Sequence, residues 1–95
     1  MYISVMRHEV QGSMKEIMAR TEAGLVPILR QSPGFIGYYA IDGGDGYAAT
    51  ICMFETQADC DQADKKALEW AGQNLGEFLT APPEVTAGDA LIVET

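Results

Sequence analysis

Apolar residues recur at helical spacing in two long stretches of the chain. The first stretch runs from Ser13 to Arg30, where Ser13 and Glu16 fit the capping box that opens many helices. Gly24 and Pro27 interrupt it, so we expect a kink or a second short helix that bows away from the rest of the fold and leaves room for a cavity. The second helix is predicted from Gln57 to about Leu79, with Thr56 as its N-cap.

Four shorter stretches have the pattern of β-strands. They are Tyr2–Arg7, Phe35–Ile41, Tyr47–Phe54 and Glu84–Val93, the last of them with a possible break at Gly88. Asp42–Gly46, between the second and third, is rich in Gly and Asp and predicts a tight hairpin, because these residues adopt the positive φ angles that such turns require. The second and third strands are therefore expected to pair in antiparallel fashion.

The predicted order β-α-β-β-α-β is typical of an α+β, ferredoxin-like domain, in which an antiparallel sheet carries both helices on one face. The second and third strands are apolar almost throughout, whereas a sheet with one hydrated face alternates apolar and polar residues. Nothing else in the chain is available to cover the second face. We therefore predict a homodimer in which two sheets pack together, with an interface above roughly 2,000 Å² in total.

Composition narrows the class of protein further. The chain has 95 residues, enough for a single domain (residues 1–95), and its net charge of −8 counts against nucleic acid and membrane partners. The first residues lack the pattern of a secretory signal. The two cysteines, Cys52 and Cys60, have no metal-site spacing and are too few for a disulfide scaffold. We expect a reduced, cytoplasmic protein that binds no metal.

Four segments of the sequence form a recognisable set: Ser32–Tyr38 (SPGFIGY) at the entry to the second strand, Phe54–Thr56, Ala67–Trp70 and Pro82–Asp89. Together with the order of elements, they resemble the dimeric α+β barrel superfamily, and within it the antibiotic biosynthesis monooxygenase (ABM)-like proteins. The resemblance implies a pocket between sheet and helices that holds an aromatic substrate or heme. It also implies a catalytic set that combines an asparagine on the first strand with a tryptophan on the second helix. Only Trp70 matches that set by position, since the first strand contains no asparagine.

Three aromatic residues are candidates for binding a substrate. Trp70 lies at the flank of the apolar stripe of the second helix, where it either lines a pocket or covers the edge of the core. Tyr38 and Tyr39 point to opposite faces of the second strand because strand side chains alternate. One of them is expected to face the helices and the other the dimer interface, and the sequence leaves open which is which.

Two titratable residues are candidates for catalysis. Asp64 falls within the apolar stripe of the second helix, where a carboxylate is costly unless it is paired or hydrated, so it either contacts a ligand or points past the edge of the sheet. His8, the only histidine, follows the first strand, and is either a general base at the mouth of a pocket or a solvated loop residue.

Two classes of function stay open at this point. One is a monooxygenase without cofactor, acting on an activated aromatic such as a hydroquinone or anthrone, with Trp70 and one tyrosine binding the ring and Asp64 or His8 moving the proton. The other is a non-catalytic module of the same fold that binds a small molecule or mediates assembly.

Overall fold

The computed structural model describes residues 1–95, which form a four-stranded sheet with one layer of helices. The strands are β1 (Tyr2–Glu9), β2 (Phe35–Gly44), β3 (Tyr47–Phe54) and β4 (Glu84–Asp89); the helices are α1 (Met14–Arg20), a π-helical turn (Thr21–Leu25), α2 (Val26–Arg30) and α3 (Gln57–Asn74). The predicted ferredoxin-like order of elements is confirmed.

All neighbouring strands of the sheet are antiparallel, in the order β2-β3-β1-β4. β1 lies in the middle and pairs with β3 over its whole length, from Tyr2 opposite Phe54 to Glu9 opposite Tyr47. The pairing extends β1 two residues beyond the predicted end at Arg7. β2 also continues past Ile41 as far as Gly44, because it pairs with β3 up to the turn.

The first helical segment changes its hydrogen-bond pattern where Gly24 and Pro27 interrupt it. The Val26 N–H donates to the Thr21 carbonyl five residues back, which makes Thr21–Leu25 one π-helical turn. Pro27 has no N–H to donate, and it falls in the first turn of α2, where a missing donor is tolerated. The predicted interruption is confirmed, and its form is a wider turn between two short α-helices.

The helix α3 begins as predicted and ends earlier. The Thr56 hydroxyl accepts a hydrogen bond from the Asp59 N–H at 3.1 Å and caps the first turn. The prediction that this helix continues to Leu79 was wrong: it ends at Asn74, and Leu79 instead forms a β-bridge with Val10. None of the helices is both long enough and apolar enough to cross a membrane.

The last strand is shorter than the sequence pattern suggests. β4 passes through Gly88 without a break and ends at Asp89, so the prediction of a strand as far as Val93 was wrong. Leu91 and Ile92 beyond it are 92% and 90% exposed and contribute nothing to the core. Neither residue pairs with a strand of this chain, because the pairing of β4 ends at Asp89.

The hydrophobic core lies between the sheet and the helices in two adjoining clusters. The larger cluster contains Leu29 and Phe54, both fully buried, and the Phe54 ring packs edge-on against Phe35 with ring centres 5.8 Å apart. The smaller cluster joins Ile17 to the end of α3. Trp70 packs against both clusters and thereby links them.

The second face of the sheet has no helix over it and is largely apolar. We call this face the open face; it includes Ile3 and Val5 of β1, Tyr39 and Ile41 of β2, and Ala49, Ile51 and Met53 of β3. Tyr39 is 60% and Ile41 50% exposed. At one end of this face the Arg7 guanidinium stacks 3.8 Å from the centre of the Tyr47 ring. The helices of the chain leave these apolar side chains in contact with solvent.

Two glycine substitutions in helical segments are expected to have opposite effects. A Cβ at Gly24 would lie 2.6 Å from Cζ2 of Trp70, whereas a Cβ at Gly72 in α3 would have nothing within 4 Å. Gly72→Ala should stabilise the fold by about 0.5–1 kcal/mol through helix propensity. Gly24→Ala should destabilise it by about 1–3 kcal/mol, because the indole must move out of a packed position. Urea denaturation of both variants measures the difference, and equal stabilisation by both would contradict this packing.

Candidate functional site

A narrow cavity lies between the helix-covered face of the sheet and α3. Its volume is about 60 Å³, and 15 of its 19 lining residues are hydrophobic. Small side chains leave this space open, namely Ala40 and Ala48 on the sheet side and Ala67 and Ala71 on the helix side. The cavity has room for a few water molecules and, as it stands, not for a fused aromatic ring system.

Trp70 and Tyr38 both line the cavity. The Trp70 ring lies against the backbone of Gly24, so the π-helical turn and the indole are in direct contact. Burial raises the pKa of the Tyr38 hydroxyl, which is therefore a neutral phenol. Tyr39 points to the open face and does not reach the cavity. The question that the sequence left open is thus answered: Tyr38 faces the helices.

Asp64 also lines the cavity, and its carboxyl group is incompletely paired. The Cys60 thiol donates to Oδ2 at 3.9 Å, while Oδ1 and the nearby Ser4 hydroxyl oxygen are both buried without a hydrogen-bond partner. Burial raises the pKa of Asp64 and the negative charge of Asp61 adds to this, although proximity to Ser4 and to the two thiols offsets part of the effect. A carboxyl group in this position has unused hydrogen-bonding capacity.

The structure corrects the prediction that His8 follows the first strand. His8 lies within β1, opposite Ala48 of β3, and faces the helix layer, where it lines the cavity. Burial lowers its pKa, so the imidazole is neutral at neutral pH. Its ring takes part in none of the side-chain hydrogen bonds within the chain. One nitrogen of the ring is therefore free to accept a proton.

The two cysteines are not suited to nucleophilic or metal chemistry. Burial raises the pKa of Cys52 and that of Cys60 to about 12, so both stay protonated thiols at neutral pH. Nowhere in the chain do three or more His, Cys, Asp or Glu side chains lie close enough together to hold a metal ion.

Sequence reasoning missed the residues that connect the cavity with solvent. An open groove of about 690 Å³ lies between the first helical segment and β2, with Glu22 and Arg30 among its lining residues. The groove and the cavity share four lining residues, which are Met18, Thr21, Tyr38 and Ala40. The one signal in the sequence was the interruption at Gly24 and Pro27, since the π-helical turn borders both spaces.

Asp64→Asn is expected to change how stability depends on pH. Because folding raises the pKa of Asp64 above its ordinary value of 3.8, the unfolded chain ionises this group first. The wild type therefore loses stability as the pH rises from about 4 through the folded pKa, and the variant lacks this loss. Between pH 4 and pH 7, the free energy of unfolding of Asp64→Asn should therefore increase relative to that of the wild type.

Urea denaturation across this range is the measurement, with Glu69→Gln on the exposed side of α3 as the matched control. A difference between Asp64→Asn and wild type that does not vary with pH would contradict the raised pKa.

Comparison with known proteins gives structural neighbours only. No family model and no curated protein sequence matches the chain. A protein of unknown function from Nitrosomonas europaea is 18% identical, with a TM-score of 0.78 over 99% of this chain and 92% of that chain. A putative antibiotic biosynthesis monooxygenase from the same organism is 14% identical, with a TM-score of 0.76 over 97% and 100%.

A third neighbour has a described activity. SnoaB, a cofactor-independent oxygenase from Streptomyces nogalater, is 17% identical, with a TM-score of 0.76 over 97% of this chain and 94% of that chain. At such low identity the similarity shows the fold and not the activity. The chain therefore has the ABM-like, ferredoxin-like fold that the resemblance in its sequence implied.

Proposed function

We propose that the chain is a cytoplasmic, ABM-like monooxygenase that needs no cofactor and acts on a small aromatic substrate between sheet and helices. One observation carries the proposal: a carboxyl group and a neutral imidazole, both with unused hydrogen-bonding capacity, line the same apolar cavity as Trp70 and Tyr38. Perturbed titratable groups in an apolar pocket are typical of active sites. The shared fold with SnoaB agrees with this reaction class.

The reaction would use electrons of the substrate itself. An anthrone-like ring carries a CH₂ group that loses a proton readily, and the resulting carbanion reduces O₂ directly. The CH₂ group becomes a carbonyl, one oxygen atom enters the product and the other leaves as water, so the two electron pairs that O₂ accepts come from the two C–H bonds. The protein has to hold the substrate, accept its proton and return a proton to the departing oxygen.

His8 and Asp64 are the residues we propose for these proton transfers. The lowered pKa of His8 keeps its imidazole unprotonated, and the raised pKa of Asp64 makes its carboxylate a stronger base than an ordinary one. The shift of Asp64 brings its pKa towards the neutral range, where general acids and bases are most effective, whereas the shift of His8 leaves its imidazole unprotonated and able to accept a proton. Desolvation is the main cause of both shifts.

Trp70 and Tyr38 are the residues we propose for binding the aromatic ring. A substrate would enter from the groove beside the π-helical turn, since the groove and the cavity meet at Met18 and Tyr38. The cavity has to widen for it, and methionine is the side chain that adapts most readily to such a change. The indole against Gly24 would move with the π-helical turn.

We further propose that the chain acts as a homodimer joined through the open face. The supporting observation is the row of exposed apolar side chains on that face, Val5, Tyr39 and Ile41 among them, with no helix of the chain to cover them. A second copy presents the same apolar surface, and self-complementary contacts of this kind are the commonest in homodimers.

A panel of polycyclic phenols and anthrones tests the activity. Binding of an active substrate should quench the fluorescence of the single tryptophan of the wild type. The same mixture should consume dissolved oxygen. Replacing His8 with Gln or Asp64 with Asn should lower kcat by about 10²–10⁴-fold, as expected for loss of a general base. Trp70→Phe should mainly raise KM, because an aromatic contact is kept while its area shrinks.

Quenching without oxygen uptake across the panel would contradict the enzyme and favour the alternative, a binding module of the same fold. Absence of both responses would contradict either function.

Sedimentation equilibrium at micromolar concentration tests the dimer. The wild type should be dimeric, and Ile41→Lys should raise the dimer Kd at least about 100-fold because an unpaired charge would be buried in an apolar interface. Ile28→Lys is the matched control, since Ile28 is exposed on the helix layer, away from the open face. A monomeric wild type, or equal effects of both variants, would contradict the proposed interface.

A further inference from the structure

The cavity and the groove have volumes that fit ligands of different sizes. The groove has a volume of about 690 Å³, within the range of roughly 300–1,000 Å³ that is typical of small-molecule sites. The cavity has only about 60 Å³, well below the roughly 150 Å³ of an apolar cavity that holds benzene. It exceeds the roughly 10–15 Å³ that a single water molecule requires. A diatomic molecule is therefore the size of reactant that the cavity admits without widening.

The wall that α3 contributes to the cavity suits an apolar guest. Asp64, Ala67 and Ala71 follow one another at helical spacing, and all three line the cavity. We call the space beside Ala67 and Ala71 the α3 side of the cavity. Alanine methyl groups form no hydrogen bonds, whereas a buried water molecule needs two to four polar partners. O₂ is uncharged, has no hydrogen-bond donor and dissolves better in apolar media than in water, so this space favours O₂ over water.

Most of the polar residues that line the cavity belong to other elements. They are His8, Thr21, Thr50 and Asp64. The Thr21 hydroxyl donates to the Ile17 carbonyl at 2.8 Å and is thereby satisfied within the first helical segment. His8 and Thr50 belong to strands of the sheet, on the wall opposite α3. Asp64 is thus the one titratable group of α3 in the cavity wall.

The groove meets the cavity away from α3. The residues that line both spaces belong to the first helical segment and to β2, and no residue of α3 lines the groove. A ring that enters through the groove therefore reaches the cavity at Met18 and Tyr38. The space beside Ala67 and Ala71 lies beyond these two residues, so a ring and a diatomic molecule have adjoining but separate places.

We infer that the α3 side of the cavity is a binding site for O₂, next to the place where an aromatic ring enters from the groove. This inference rests on the proposed function, because it takes O₂ to be a reactant, and it adds the place of O₂ without adding a chemical step. Asp64 borders the site, so O₂ bound there lies beside one of the two groups that we propose for proton transfer.

Methyl NMR of the protein without substrate tests the site, with O₂ itself as the probe. O₂ is paramagnetic and accelerates the relaxation of methyl groups that it contacts. Under O₂ pressure, compared with N₂, the methyl groups of Ala67 and Ala71 should gain more relaxation than that of Ala58, which is exposed on the same helix. A buried methyl group without a gas site is shielded from O₂ and gains less than an exposed one, so the two cases differ in sign.

A variant that fills the space links the site to turnover. Ala71→Val adds methyl groups at a buried position of the cavity wall and should remove the excess relaxation at Ala67. With an anthrone that the wild type consumes, it should lower kcat/KM for O₂ about tenfold and leave KM for the anthrone unchanged. Ala58→Val carries the same substitution at an exposed position of α3 and should match the wild type in both measurements. The relaxation measurement on the wild type stands even if Ala71→Val fails to fold.

Less O₂-dependent relaxation at Ala67 and Ala71 than at Ala58 would overturn the inference and leave the proposed function intact, because O₂ would then reach the substrate directly from solvent. An unchanged kcat/KM for O₂ in a folded Ala71→Val variant would overturn it in the same way. Excess relaxation without oxygen uptake from any aromatic compound would contradict the proposed function and, with it, the role of the bound O₂ as a reactant.

Discussion

The whole structure depends on one constraint: a four-stranded sheet has two faces, and this chain has helices for only one of them. The helix layer covers the face that carries Tyr38, Cys52 and Phe54, and this face supplies the core. The open face carries Ile41 and Tyr39 to solvent. Burying apolar surface is the main stabilising term in folding, and the open face is the part of the sheet that this chain leaves out of that burial.

The cavity lies beside an irregular part of the helix layer. The first helical segment changes from α to π geometry between Arg20 and Val26. Gly24 in the widened turn allows the Trp70 ring to approach the backbone closely. The cavity beneath α3 thus lies beside a segment whose hydrogen bonding departs from the regular α-helical ladder. Such departures are often found at functional sites.

Asp64 lines the cavity and lowers the stability of the fold. A carboxyl group between α3 and the sheet loses water, and neither Ser4 nor the two thiols replaces all the hydrogen bonds that it loses. Burying such a group with an unpaired oxygen costs free energy of folding, on the order of 1–3 kcal/mol. Proteins commonly retain such a destabilising group where a functional site needs a side chain with a shifted pKa. Asp64 thus lines the cavity at a cost to the stability of the fold.

Local patterns in the sequence were enough to predict the order of elements, the antiparallel hairpin, the apolar open face and the interruption at Gly24 and Pro27. Each of these follows from periodicity or from the backbone chemistry of single residues, which act over a few positions. They were also enough to place Asp64 within the apolar stripe of its helix.

Only the tertiary structure decided that Tyr38, and not Tyr39, faces the cavity, because alternation along a strand does not say which face the helices cover. The position of His8 was likewise decided by pairing with β3, which extends β1 past Arg7 and turns the imidazole towards the helices. The early end of α3, the exposure of Leu91 and Ile92, and the meeting of Asp64 with Ser4 and Cys52 all depend on contacts between residues far apart in the chain, and a local pattern contains no information about such contacts.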